Sequence, residues 1–549
     1  MKKIIGLMLA VCAVTTSMDS LASNINDNDF GDNDKPRLIV EIVASGVRYD
    51  QMLRFRSNLI DSGLNLLMKE GSVFTNARNS YMYTSPICGA ASIATGSLPS
   101  GHGIVGNEWV NYTTNKQIEA LKNSKFRGVG CNEDEGQFSP ETLAASTLAD
   151  EIRGITPRSK IYSLAIDYSD AIIHGGYNPD GCYWLDTRYG VFVTSSYYHS
   201  QLPWWVTQFN EADKKWNYLN ELWKVEKNYK KYVYQNATSI ITSAGVTFSF
   251  DMLFKPKNNE FKRLKETPMG NSYLVDFAIE TIKADSLGQD NITDLLVLNM
   301  TTGRDVSRIY GSSSTEAEDS YYKLDKDISR IISFLDDNVG RDNYMLVFTS
   351  SHGMSDKVTK VEASNQGKFN AMQFKVLMGG FLNAQLGSDN WVTTYSNRQI
   401  YLNRRLIYEK GLSLVDIQNS IATFALQFAG VSHAITSTTL QTNYYGKGVL
   451  HKMQNSFFPR HGGDLMINLL PGWIEIEDEN DVVTLSSWGS PYEYDSHVPM
   501  IFLGKSIEPR VVHTPVDIID IAPTISEMIG VPYPNASEGN VISEIIISK

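Results

Sequence analysis

The 549-residue sequence contains only four cysteines, Cys12, Cys88, Cys131 and Cys182, which excludes a disulfide-built scaffold. None of its apolar runs reaches the roughly 18 residues that a membrane-spanning helix needs. It has no basic excess either: 49 Lys and Arg stand against 61 Asp and Glu, a formal charge of −12 that argues against nucleic acid as a partner. Internal repeats are absent as well. What remains is 42% hydrophobic and 20% charged residues, the balance of a globular protein with enough chain for one large core or two ordinary ones.

The first residues carry an address. Met1-Lys-Lys, the apolar run Ile4-Ile-Gly-Leu-Met-Leu-Ala-Val-Cys-Ala-Val14 and Ser20-Leu-Ala22 are the basic, apolar and small-residue regions of a secretory signal peptide, read here as residues 1–22. The mature protein is therefore expected to be exported, into a bacterial periplasm. Leu9-Ala-Val-Cys12 only faintly resembles a lipoprotein cleavage site, since Val11 stands where Gly or Ala is usual, and a lipid anchor is not expected. Residues 23–36 form an acidic, solvated leader without the Gly and distal Glu spacing of a calcium loop. Loss of Cys12 with the leader leaves three cysteines. The favoured bridge is Cys131 to Cys182, because Cys88 falls within a helix.

Leu38-Ile-Val-Glu-Ile-Val-Ala44 is rich in β-branched residues and predicts a buried strand, as do residues 160–166, 294–300 and 344–350. Helical periodicity marks 51–70, 140–152 and 317–335, and Pro86 suits the first turn of another helix, with Thr84 or Ser85 as its cap. Alternation of the two types predicts an α/β fold with a mostly parallel sheet, whose chemistry belongs on the loops that follow the strands. Two segments interrupt the pattern, 175–267, dense in Tyr and Trp, and 377–454. Both are read as cap insertions on a domain that spans 37–549, with 455–470 and 482–488 returning the chain to the sheet.

The stretch Ser92-Ile-Ala-Thr-Gly-Ser-Leu-Pro-Ser-Gly-His-Gly-Ile-Val-Gly-Asn-Glu-Trp109 closely resembles the segment after the nucleophile in PafA-like alkaline phosphatases of the alkaline phosphatase and nucleotide pyrophosphatase superfamily. The similarity runs from about residue 37 to the end. It implies an alkaline-phosphatase-like core in which helices flank the sheet, two zinc ions and a Thr or Ser nucleophile that together hydrolyse phosphoric esters. Residue by residue, the nucleophile position falls on Pro86. The metal positions fall on Ser45, Arg304, Arg308, Ser351, His352 and Trp488. Of the positions that contact substrate, Asn107 is kept, while the cationic pair falls on Asp167 and Ser169.

Pro86 has no hydroxyl, and a guanidinium stays protonated and cannot ligate a metal. These changes predict a degenerate site that holds no metal or other cofactor. The chain then acts by binding, with a protein of the cell envelope as partner and a small anion or a glycan as other ligands. The rival readings are a phosphoric-ester hydrolase rebuilt around Ser85 with zinc, and a phosphate- or sulfate-binding protein using Asn107, the arginines and a helix N-terminus. If the site has become packing, Arg304 or Arg308 should pair with Asp167, Trp488 should fill the vacated space, and His352 should persist as a hydrogen-bonded relic. Cys88 is read as a small packing residue.

Overall fold

The computed structural model describes residues 35–220, 223–236, 239–242, 245–248, 261–358, 367–477 and 484–546. The signal peptide, almost all of the acidic leader and the start of the 482–488 segment lie outside the described residues.

Ten strands form the central sheet: β1 (Leu38–Ala44), β2 (Ser72–Phe74), β3 (Gly128–Val129), β4 (Ile161–Ala165), β5 (Gly181–Asp186), β6 (Val191–Ser195), β7 (Asp294–Met300), β8 (Tyr344–Thr349), β9 (Met500–Gly504) and β10 (Arg510–Val512). Their order is β10-β2-β9-β8-β1-β7-β4-β5-β6-β3. The middle five, β8-β1-β7-β4-β5, run parallel, with Leu38 opposite both Asp294 and Tyr344. Antiparallel pairs flank them at β8–β9 and β5–β6. The predicted strands are thus present, and all four lie in the parallel centre.

The unbroken apolar run of β1 follows from burial on both faces. Leu38, Val40, Ile42 and Ala44 enter one core with Phe277 of α3 (Met269–Ala284) and Ile328 of α5 (Thr315–Asn338). Ile39 and Val43 enter the other, with Ile87 and Ala91 of α1 (Pro86–Thr95) and Ile172 of α2 (Tyr168–Gly175).

Several sequence expectations require correction. The helix expected over 51–70 is broken between Tyr49–Phe55 and Leu64–Glu70, because the buried Asp325 carboxylate accepts the amides of Ile60 and Leu64 and makes its own helix start there. The helix expected over 140–152 begins only at Leu148, where Thr147 and Asp150 form a capping box. Part of the supposed cap at 175–267 is β5 and β6 of the central sheet. The second insertion is wider than 377–454: a four-stranded sheet of Val392–Ser396, Gln399–Leu402, Leu465–Leu469 and Val431–Thr436 has its own core with the helices Ala371–Leu386 and Leu414–Ala425. The 455–470 segment therefore pairs within the insertion and does not return to the central sheet. All three described cysteines are free thiols. Cys182 lies on β5 and Cys131 just past the edge strand β3, with β6 between those two strands.

Candidate functional site

The carboxyl ends of β8, β1, β7 and β4 deliver four groups to one edge: Ser351 and His352, Ser45, the helix α4 (Thr302–Tyr310), and Asp167. Such an edge is where open parallel sheets place their ligands. Gly46 has φ +85°, and a Cβ there would stand 2.6 Å from the Cα and N of Arg304, so β1 and α4 touch backbone to backbone. On the neighbouring side, a Cβ on Gly89 of α1 would meet the Ser351 carbonyl oxygen at 2.4 Å. These two glycines allow α1 and α4 to close directly over the strand ends. Pro86 occupies the first turn of α1, and Ser85 caps it by accepting from the Cys88 amide at 3.4 Å.

Arg304 fills the centre of this edge and is 5% exposed. It sits in the first turn of α4, where the helix dipole opposes a cation, so its charge must be met by acids. It donates to the Asp167 carboxylate through the same nitrogen that reaches Asp305 at 3.0 Å. Lys265 grips the other Asp167 oxygen. Burial alone would raise the Asp167 carboxyl, but Lys265 and then Arg304 outweigh it and hold the group well below the usual carboxylate range. Burial would likewise lower Arg304, and Asp305, Asp167 and Asp170 reverse this and fix it as a cation. Asp170, one turn further along α2, is buried with neither oxygen hydrogen-bonded, and burial pushes its carboxyl up to about 7.

The Trp488 ring lies between two of these groups, 5.8 Å from the Arg304 guanidinium carbon and 5.4 Å from the His352 ring. The Nδ1 of His352 donates to the Gly353 carbonyl at 2.5 Å, and its Nε2 has no partner. Burial, with some repulsion from Arg304, drops the imidazole to about 3, so it is neutral. Ser45 and Ser351 share a hydroxyl hydrogen bond of 2.8 Å. The sequence-stated pairing of an arginine with Asp167 is therefore present, and Arg304 is the arginine that makes it.

The remaining sequence candidates stand apart from this network. Arg308 is half-buried, and its side chain makes no ion pair or hydrogen bond among the described residues, although its carbonyl accepts from Leu485 at 2.8 Å. Asn107 is exposed, and its carbonyl accepts from Ala120 at 2.7 Å. Ser169 is half-buried with no side-chain partner among the described residues. Lys265 escaped the sequence reading because it is 98 positions from Asp167 and carries no motif of its own. Asp170 was discernible only through its one-turn spacing from Asp167.

Measured against known proteins, the fold has a clear place. The sequence profile described as type I phosphodiesterase / nucleotide pyrophosphatase matches residues 39–483, and the chain belongs to that family. It is 28% identical over 521 residues to alkaline phosphatase PafA of Elizabethkingia meningoseptica, covering 93% of this chain and 95% of that one. It is 29% identical over 521 residues to alkaline phosphatase PhoV of Synechococcus elongatus, covering 93% of each. The crystal structure of wild-type PafA superimposes with a TM-score of 0.85 at 26% identity, over 93% of this chain and 99% of that one. Similarity thus extends across the α/β core and the insertions of these two proteins named alkaline phosphatases.

The strand ends present one imidazole, two hydroxyls, one guanidinium, an indole and three carboxylates, of which Asp167 and Asp305 are engaged by Arg304. Zinc needs several thiolate, imidazole or carboxylate donors in one sphere, and among the described residues no three of His, Cys, Asp and Glu are grouped to hold a metal. The residues present do not fit a zinc pair. No helix among the described residues is long and apolar enough to cross a membrane.

Proposed function

We propose that this chain is an exported member of the phosphodiesterase family in which the two-metal centre has become a structural ion-pair network, and that it acts by binding within the cell envelope, not by hydrolysis. The observation that carries the reading is Arg304, buried among Asp167, Asp305 and Lys265 beneath Trp488. A fixed cation with its carboxylates already engaged excludes a dication from the same volume by charge and by space. Pro86 supports it further, since the first turn of α1 offers no nucleophile where the family resemblance expects one. The leader read from residues 1–22 supports export.

The names of the relatives favour a hydrolase, and Arg308, unpaired among the described residues, favours an anion site, but the other site residues support neither. The Ser85 oxygen accepts from the Cys88 amide at 3.4 Å, and Thr84 exchanges hydrogen bonds with the Ser490 backbone at 3.0 and 3.2 Å, while no three metal-ligating side chains are grouped among the described residues. The Ser92–His102 contact of 3.2 Å lies wholly within the core, with both residues 0% exposed. For an anion-binding site, Arg304 and Lys265 are already matched by Asp167 and Asp305, so the network has no net positive charge with which to capture phosphate.

The test is the metal content of mature protein purified without chelator, together with an aryl phosphate assay in added zinc. The reading expects less than about one tenth of a zinc per chain and no turnover. Stoichiometric zinc with turnover would overturn it.

A further inference from the structure

Asp167 also borders a cleft of about 420 Å³ that no part of the proposal above uses. The cleft lies beyond the carboxyl ends of β4 and β5, between Ile166 to Tyr168, Trp184 to Arg188 and the short helix carrying Lys262 and Lys265. Its size is that of a small-molecule site. Two properties restrict the ligand.

The first is an aromatic wall. Phe138 and Tyr168 stack with centroids 4.0 Å apart and planes 9° apart, and the Trp184 ring stands edge-on to Phe138 at 6.1 Å. Phe138 and Tyr168 are both half-buried in the wall of the cleft, and the Tyr168 hydroxyl is tied back to Glu119 at 2.6 Å, which fixes the ring in place. Phe138 backs one face of Tyr168, and the other Tyr168 face, held rigid by this stack, suits a ligand with one flat apolar face.

The second is charge that is abundant but already balanced. Glu135, Asp167 and Asp186 line the cleft together with Arg188, Lys262 and Lys265. Arg188 pairs with Glu135 at 2.5 Å, Lys265 with Asp167, and Lys262 lies 3.8 Å from Glu266. Asp186 accepts from the Arg188 and Tyr189 amides at 2.7 and 3.0 Å. An ionic ligand would have to break these pairs and leave a charge unmatched. A neutral ligand rich in hydroxyls can add hydrogen bonds to them without disturbing the balance, since each carboxylate and guanidinium keeps further acceptor or donor positions.

A flat apolar face with a rim of hydroxyls describes a pyranose ring. We propose that this cleft binds a neutral sugar, one or two pyranose units of a glycan, with its C–H face against the Tyr168 ring face that Phe138 does not cover and its hydroxyls on Asp186, Arg188 and Glu135. The site does not depend on whether the strand-end centre is catalytic, so zinc content decides that question whatever the sugars do.

The experiment is saturation-transfer NMR and calorimetry on the full mature chain with glucose, galactose, N-acetylglucosamine and the β-linked disaccharides of each. Saturation transfer to at least one of them is expected. Tyr168→Ala and the surface change Arg188→Ala should each weaken its binding by roughly tenfold, whereas Tyr168→Phe should retain it. An unchanged melting temperature in Arg188→Ala separates loss of binding from loss of fold. Absence of transfer from every sugar at about 10 mM, or displacement of a bound sugar by inorganic phosphate, would overturn the assignment.

Discussion

Ser45 and Ser351, 306 positions apart in the chain, join hydroxyls at 2.8 Å where the neighbouring strands β1 and β8 end. Both are buried, and His352 stands beside them with an unpartnered Nε2. A neutral hydrogen bond thus occupies the place that the family resemblance assigns to two carboxylates.

Changing both, Ser45→Asp with Ser351→Asp, would set two buried carboxylates against one another next to an imidazole. Without metal the double variant should lose at least about 3 kcal/mol of stability, since like charges without partners are costly in the interior. With zinc three donors become available, but Arg304 still fills the centre of the site, so the melting temperature should not depend on zinc concentration. Thermal denaturation with and without zinc checks this. A melting temperature that rises with zinc would mean that Arg304 does not block the site.

Arg304→Ala should cost about 3–5 kcal/mol, because it strands Asp167 and Asp305 within the core edge. Arg304→Met combined with Asp167→Leu should recover much of that loss, as a buried ion pair can often be replaced by apolar residues of similar volume. Urea denaturation of Arg304→Met, of Asp167→Leu and of the double variant gives the coupling energy directly. Additive losses would refute the pairing as a unit.

Pro86→Thr restores a hydroxyl at the first turn of α1. The Ser85 cap remains, so the stability change should stay within about 1 kcal/mol. No aryl phosphate turnover should appear, because neither a metal nor a base accompanies the hydroxyl. Measurable turnover in this single variant would show that the rest of the machinery survives.

Glu41 lies in the middle of β1, 2% exposed, with one oxygen unpartnered, and burial pushes its carboxyl up to about 8. Its unfolded value is near 4.3. A raised folded value means that the native state holds the proton longer, so this stability is full below about pH 4 and is lost as pH rises through about 8. The slope for one such group approaches 1.4 kcal/mol per pH unit at most. Asp495, raised by burial to about 8, and Asp517, raised by burial to about 7, act in the same sense. Glu41→Gln should therefore flatten part of the fall in melting temperature between pH 5 and 8 and be more stable than wild type at pH 8. An unaltered slope would refute the assignment.

By itself the sequence determined the centre of the fold. Leu38–Ala44, Asp294–Met300 and their neighbours announce buried parallel strands because both faces of such strands must be apolar, and that demand is written in consecutive residues. It also pointed to Ser45, Asp167, Arg304, Ser351 and His352, which gather at the strand ends, and to Arg308, Asn107 and Ser169, which stand apart from that network. Long-range proximity was left to the tertiary structure. Only there does Lys265 reach Asp167, does Asp325 break a helix more than 250 residues earlier in the chain, and do β5 and β6 leave a supposed cap to join the central sheet. The free thiols of Cys131 and Cys182 belong here too: β6 lies between β5 and β3, and no local pattern records which strands are neighbours. Periodicity encodes what each segment buries; what it is buried against depends on contacts between distant parts of the chain, which form only when the chain folds.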